Sequence, residues 1–223
     1  INVIEINKKR SKYLQKTYKI NNISNVKNSD FIILCVKPQN IETIKEYFDD
    51  YNVKDDTLLI SLIAGKNKKQ LKDLLPRFKN IIRIMPNIPV SLNKGTIIWY
   101  PCNNIKGKHK SLVKNFLQIL GEEIEVNEEK YLEMGTAISG TGPAYVFLLA
   151  ESLIDSAVHL GFSRVVAEKI VLSTINGSAN ISHKRLNDKD NDKDNISNMR
   201  YDVVSPGGAT ASAMYELEKG SFR

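Results

Sequence analysis

The sequence predicts an α/β fold, a mainly parallel sheet covered by helices, followed by an all-helical region that packs against a second subunit. Three observations predict it. Short β-rich segments alternate with helical patterns through the first half of the chain, and those segments are apolar on both faces. Beyond Asn127 the strands give way to two long helical patterns with broad apolar faces. Strands buried on both sides and separated by helices belong to parallel sheets, because each crossover helix covers one face. The change of pattern divides the chain into domains at 1–126 and 127–223.

In order along the chain, residues 1–6 read as a strand and 8–18 as a helix. Residues 31–36 are an almost wholly apolar strand ended by Lys37-Pro38, followed by a helix at 40–48. A strand at 57–63, a helix at 68–75 and strands at 81–85 and 95–99 come next, then a helix at 108–120 and a short strand at 124–126. This is an architecture of the nucleotide-binding type, although fold alone does not decide function.

In the second half, residues 143–160 place Val146, Phe147, Ala150, Leu153, Ile154, Ala157 and Val158 on one helical face. Pro143 suits the first turn, where its missing amide hydrogen is not needed, and Gly161 suits the stop. Ser163 is placed to cap a second helix whose apolar residues are Val166, Ala167, Ile170, Val171 and Ile175. Two such faces exceed what a small isolated helical domain can bury, hence the expected partner subunit.

Composition removes several function classes. The net charge of +7 is confined to one half: residues 1–100 hold 18 Lys/Arg against 9 Asp/Glu, and residues 101–223 hold 14 against 16. No recognition helix, RNP-type aromatic strand or zinc finger accompanies the positive half, so no nucleic-acid partner is expected. Two cysteines, Cys35 and Cys102, make neither a disulfide framework nor a zinc site, and Cys35 lies in an apolar strand pattern where a buried thiol packs as a small hydrophobe. His109, His159 and His183 lack ligand spacing, so no metal site is expected. No apolar run approaches the roughly 20 residues needed to cross a bilayer, and no membrane partner or signal peptide is read. The polar stretch at 186–195 is aspartate-rich, but without the glycine and closing glutamate of a calcium loop it reads as a mobile solvated loop.

Four separated motifs carry the functional signal: Val36-Lys37-Pro38-Gln39, Arg83-Ile84-Met85-Pro86-Asn87-Ile88-Pro89, Ser139-Gly140-Thr141-Gly142-Pro143-Ala144-Tyr145 and Ser205-Pro206-Gly207-Gly208-Ala209-Thr210. Ser61-Leu62-Ile63-Ala64-Gly65 is a weaker fifth. The set, in this order, resembles the pyrroline-5-carboxylate reductase family. The resemblance implies a Rossmann-type domain followed by a helical domain that interleaves with its partner in a homodimer, or in a larger ring of dimers. It further implies a cytoplasmic enzyme that reduces 1-pyrroline-5-carboxylate to L-proline with NADPH or NADH, the last step of proline biosynthesis.

Site residues follow from that resemblance and from what each segment can do. Val203, Ser205, Ala209 and Thr210 match residues that line the substrate site in the family. Gly207 and Gly208 let the backbone approach a ligand, successive amides can hold a carboxylate, and the Thr210 hydroxyl is the candidate catalytic group at the ring nitrogen. A plain Pro-Gly turn leading into a helix is the alternative for this loop. Val36, Lys37 and Pro38 end a strand at the carboxyl edge, where open α/β sheets bind ligands; a solvated lysine at a strand end equally accounts for the Lys37 side chain. Ala64 and Gly65 leave room for cofactor atoms, as would any strand-to-helix turn. Asn87, between prolines, either faces the nicotinamide amide or holds a structural turn. Asn22 matches a family asparagine near the adenosine end. Asn7, Lys8 and Lys9 follow the first strand, where basic residues can pair with a 2′-phosphate and favour NADP. The Ser139–Tyr145 segment is assigned to architecture and interface.

Two departures from the family pattern stand out. The glycine-rich turn that receives the pyrophosphate is not in this sequence, which opens in what matches the second strand; the intact interior motifs favour a fragment over a protein that has lost normal cofactor binding. The polar stretch before Ser205 is longer and lacks the family's His-Pro element. The alternatives are a non-catalytic interaction protein derived from the fold, or another Rossmann-type dehydrogenase acting on a hydroxy acid.

Overall fold

The computed structural model describes residues 2–22, 26, 29–42, 44, 48, 53–101, 105–188 and 194–222. They form two compact units, Ile1–Tyr145 and Val146–Arg223.

The first unit opens with β1 (Asn2–Val3), which pairs in parallel with β2 (Asn21–Asn22) across α1 (Lys8–Tyr18). The strand expected over 1–6 is shorter, because the chain turns early to let Asn7 cap α1. The Asn7 Oδ1 accepts the amides of Lys9 at 3.0 Å and Arg10 at 3.1 Å. A second sheet has five strands, β3 (Phe31–Leu34), β4 (Leu58–Ser61), β5 (Asn80–Pro86), β6 (Gly95–Pro101) and β7 (Gly121–Glu125), in that spatial order. Of the helix expected at 40–48, Asn40 ends a 3-10 turn and Ile41, Glu42, Ile44 and Phe48 are helical; the others lie outside the described residues.

α2 (Lys68–Leu74) and α3 (Gly107–Leu120) make the crossovers into β5 and β7. Asn67 and Gln70 close a reciprocal cap at the start of α2, each side chain accepting the other's amide at 2.9 Å. One pair departs from the expected parallel pattern: β6 runs antiparallel to β5. Their connection holds only a 3-10 turn, Ile88–Leu92, too short for a parallel crossover.

The sheet is packed on both faces. Ile32, Leu34, Leu59, Leu71, Phe78 and Ile81 fill one, and Leu58, Ile60, Ile82, Ile97, Val113 and Leu117 the other. Trp99 is fully buried among the second group, and its indole Nε1 donates to Glu123 Oε2 at 2.7 Å. β3 corrects the reading of the sequence, since Ile32 and Leu34 are buried but Phe31 and Ile33 are exposed, as is Cys35 just beyond the strand. The reason is position: β3 lies at the end of the five-stranded sheet. Cys102 is outside the described residues.

α4 (Glu129–Gly135), a π turn (Thr136–Gly140) and α5 (Gly142–His159) continue one another over Glu129–His159. α4 packs on the sheet through Leu132, which meets Met85 and Ile98, and Gly135 approaches so closely that an added Cβ would lie 2.1 Å from Ile98 Cδ1. By length and composition alone the helical stretch 129–159 is long and apolar enough to cross a membrane, which corrects the reading that no run approaches such a length.

The second unit contains most of α5, then α6 (Arg164–Leu186), α7 (Ile196–Asp202) and α8 (Ala209–Lys219). Its core is small, consisting of Ala150 and Ile154 against Ala167 and Val171. Phe147, Leu148, Leu153, Val165, Ile170 and Leu172 remain exposed on the described chain. Ser163 stands at the N-cap of α6, but its side chain makes no capping bond. Residues 189–193 of the polar stretch lie outside the described residues. At its end, however, Asp194 is almost fully buried and paired with Arg185, which also binds Asp202 at 2.7 Å, so this part is anchored rather than solvated.

Candidate active site

β3, β4 and β5 run in parallel, so their carboxyl ends share one edge of the sheet. That places Val36, Lys37 and Pro38 after β3, Ala64 and Gly65 after β4, and Asn87 after β5, all along the same edge. Open α/β sheets bind ligands there. Lys37 and Pro38 are exposed and begin a 3-10 turn, with no capping bond from the Lys37 side chain. Gly65 has φ of 70°, a left-handed conformation that glycine adopts freely, and the space a Cβ would enter holds no atom within 4 Å. The edge is therefore open where a flat ligand needs room.

Asn7, Lys8 and Asn22 sit on the separate two-stranded sheet and its helix. The Asn7 side chain is taken up by capping α1, while Lys8 is the first residue of that helix and exposed. Asn22 pairs with Val3, so it lies beside the end of β1 where the chain turns towards α1.

Arg83, which stands in one of the motifs but received no role there, is held in a buried ion-pair network. It is 1% exposed, between the apolar residues Ile82 and Ile84 of β5, and its Nη1 and Nη2 bind Glu129 Oε1 at 2.9 Å and Glu133 Oε1 at 2.6 Å. Glu129 Oε1 also accepts the Lys68 amide at 2.6 Å, which ties α2 into the network. The available signal was a charge inside a buried strand, which demands partners. Asn87, beyond the same strand, donates from Nδ2 to the Ser139 carbonyl at 3.1 Å and accepts the Thr96 amide on Oδ1 at 2.8 Å.

In the second unit, Ser205–Gly208 forms a tight turn in which the Gly208 amide donates to the Ser205 carbonyl at 3.0 Å. Pro206 supplies the fixed φ of the first corner and Gly207, at φ of 70°, the left-handed second corner of a type II turn. Gly208 caps α8 without a side chain, and among the described residues no side-chain capping bond occupies the amides of its first turn, where Ala209 and Thr210 stand. Those amides and the helix dipole favour a carboxylate. Ser205, Ala209 and Thr210 are exposed around this turn, with Val203 just before it at the end of α7. The structure thus places the four residues predicted for the substrate in and beside one turn, and Val36, Lys37, Pro38, Ala64, Gly65 and Asn87, predicted for the cofactor, along one sheet edge.

The family model described as pyrroline-5-carboxylate reductase dimerisation matches residues 129–223. The chain is 30% identical to the pyrroline-5-carboxylate reductase of Mycobacterium leprae over 96% of its own length and 78% of that protein. The chain belongs to the pyrroline-5-carboxylate reductase family. Solved structures agree. The chain superposes on a pyrroline-5-carboxylate reductase from Coxiella burnetii with a TM-score of 0.85 and 28% identity, covering 100% of this chain and 82% of that one. A Plasmodium falciparum pyrroline carboxylate reductase solved with NADP bound aligns with a TM-score of 0.77 and 33% identity, over 91% and 75% of the two chains. The family match begins at the residue that opens α4, so the family's helical part includes the segment that grips Arg83.

Proposed function

We propose that this chain reduces 1-pyrroline-5-carboxylate to L-proline with NADPH or NADH, in the last step of proline biosynthesis. The observation that carries this is the identity to pyrroline-5-carboxylate reductases along almost the whole chain. Its own residues fit both ligands. The open edge formed by Val36, Lys37, Pro38, Ala64, Gly65 and the backbone at Asn87 gives a flat cofactor space against the sheet, and Lys8 and Lys9 can neutralise a 2′-phosphate. When bound, the reduced nicotinamide supplies the hydride.

The remaining work falls to the substrate loop. The amides at the start of α8 and the Ser205 hydroxyl hold the substrate carboxylate, Val203 and Ala209 flank the ring, and the Thr210 hydroxyl hydrogen-bonds the ring nitrogen. A neutral donor there promotes the imine as an acceptor without adding a competing charge.

The test is turnover. Purified intact protein given pyrroline-5-carboxylate is expected to oxidise NADPH and release proline, and Lys8→Ala with Lys9→Ala should raise KM for NADPH while sparing NADH. Good turnover of a hydroxy or keto acid, with none of the imine, would sink the assignment; equal effects on both cofactors would remove the lysine contact.

We further propose a cytoplasmic homodimer, alone or in a ring of dimers, in which a second copy rather than lipid covers the apolar side of 129–159 and of α6. What supports this is the match to the dimerisation family and the small internal core of the helical unit. Light scattering should give a dimer or a larger assembly with an even number of subunits. A stable active monomer, or partition into lipid vesicles, contradicts the proposal.

A further inference from the structure

The Asn87 and Pro143 motifs are far apart in sequence, yet the structure joins them through one carbonyl. A helical carbonyl ordinarily accepts the amide hydrogen of the residue four positions later. For Ser139 that residue is Pro143, which has no amide hydrogen to give. A half-buried carbonyl left in this way needs another donor. Asn87 is that donor, with Nδ2 3.1 Å from the Ser139 oxygen, while Oδ1 accepts the Thr96 amide at 2.8 Å. The two bonds together fix which way the Asn87 amide points.

Ser139 lies in the π turn, where the Thr141 amide reaches back to the Thr136 carbonyl at 3.3 Å. Such widened turns inside helices collect at functional sites. The beginning of the same helix is held separately, by Arg83 on Glu129 and Glu133. Loss of the Asn87 bond therefore frees the π turn without undocking α4. The neighbourhood of Asn87 is the cofactor edge of the sheet, and the Ser139–Tyr145 segment is the last of the sheet unit before the chain enters the helical unit.

We propose that Asn87 is a positioning residue for hydride transfer, holding the Ser139–Tyr145 segment at the carboxyl edge of β5 by replacing the amide that Pro143 lacks. This rests on the reductase function proposed above. Its side chain acts through Ser139, not on the cofactor. Hydride transfer requires reacting atoms about 3–3.5 Å apart, and small displacements cost rate steeply.

Asn87→Asp separates the two bonds, because it keeps the acceptor for Thr96 and removes the donor for Ser139. In the intact protein it should lower kcat about 10- to 100-fold, leave NADPH affinity by fluorescence nearly unchanged, and speed amide exchange across Ala137–Thr141. Pro143→Ala restores a backbone donor to Ser139, so in that background Asn87→Asp should cost much less in both rate and exchange. The same comparison with Asn87→Ala covers the case in which a carboxylate beside the carbonyl prevents folding. The proposal is overturned if the variant keeps wild-type kcat, if NADPH affinity falls in step with kcat, or if Pro143→Ala brings no rescue. Should the wild type fail to reduce the imine, the functional reading fails, and the exchange measurements still decide whether Asn87 replaces the missing amide.

Discussion

Thr210→Val is expected to lower the turnover of pyrroline-5-carboxylate by about 10²- to 10⁴-fold, the usual cost of losing a positioned proton-transfer partner. The hydroxyl is placed differently from several others on the helices of the second unit. Those of Ser152, Ser156, Thr174 and Ser182 each donate to the carbonyl one turn back. Thr210 stands second in α8 with no helical turn behind it, and its hydroxyl has no partner among the described residues. It is available to a ligand. Valine keeps the shape and removes only the donor, so dimerisation and NADPH binding should survive, and Thr210→Ser should retain much of the rate. If the valine variant reduces the imine at nearly the wild-type rate, Thr210 is part of a turn and the proton comes from water or from the substrate.

The second large effect concerns stability. Arg83 is buried to 1% exposure, whereas its partners Glu129 and Glu133 keep 26% and 47% of their side-chain surface. The two halves of this network are therefore not equivalent. Replacing both glutamates by alanine strands a guanidinium in the sheet, a loss of about 3–5 kcal/mol for an uncompensated buried charge. Replacing Arg83 by methionine leaves two carboxylates that water can reach and an apolar chain of similar length in the strand. It should cost distinctly less. Because whole domains are stable by only about 5–15 kcal/mol, the double variant should unfold at much lower urea concentration, a midpoint shift read directly from denaturation curves. Equal losses in the two variants would mean that the contact contributes through packing rather than charge.

Much of the first unit was legible because its signals are local. The apolar runs at Leu58–Ser61 and Asn80–Pro86, and the apolar spacing of Gly107–Leu120, gave strands and helix at nearly their observed bounds. Strand direction was not, since the pattern in Gly95–Pro101 is the same whichever way the strand runs. Nor was the exposure of Phe31 and Ile33, which depends on β3 being last in its sheet. The turn at Ser205–Gly208 was readable because Pro and Gly dictate its backbone. The partners of Arg83 lie 46 and 50 residues away and that of Asn87 lies 52 away. No window of sequence contains both ends, so these contacts needed the fold.

The placement of the lone tryptophan has a spectroscopic consequence. Trp99 is fully buried in the sheet unit, with its indole bonded to Glu123, and the helical unit contains no indole at all. Its emission therefore follows the melting of the sheet alone. Ellipticity near 222 nm, by contrast, is weighted towards the long helices beyond Tyr145. Recorded on one sample, the two signals report the two units separately, and curves that part company would resolve a half-melted species with its sheet still closed around Trp99.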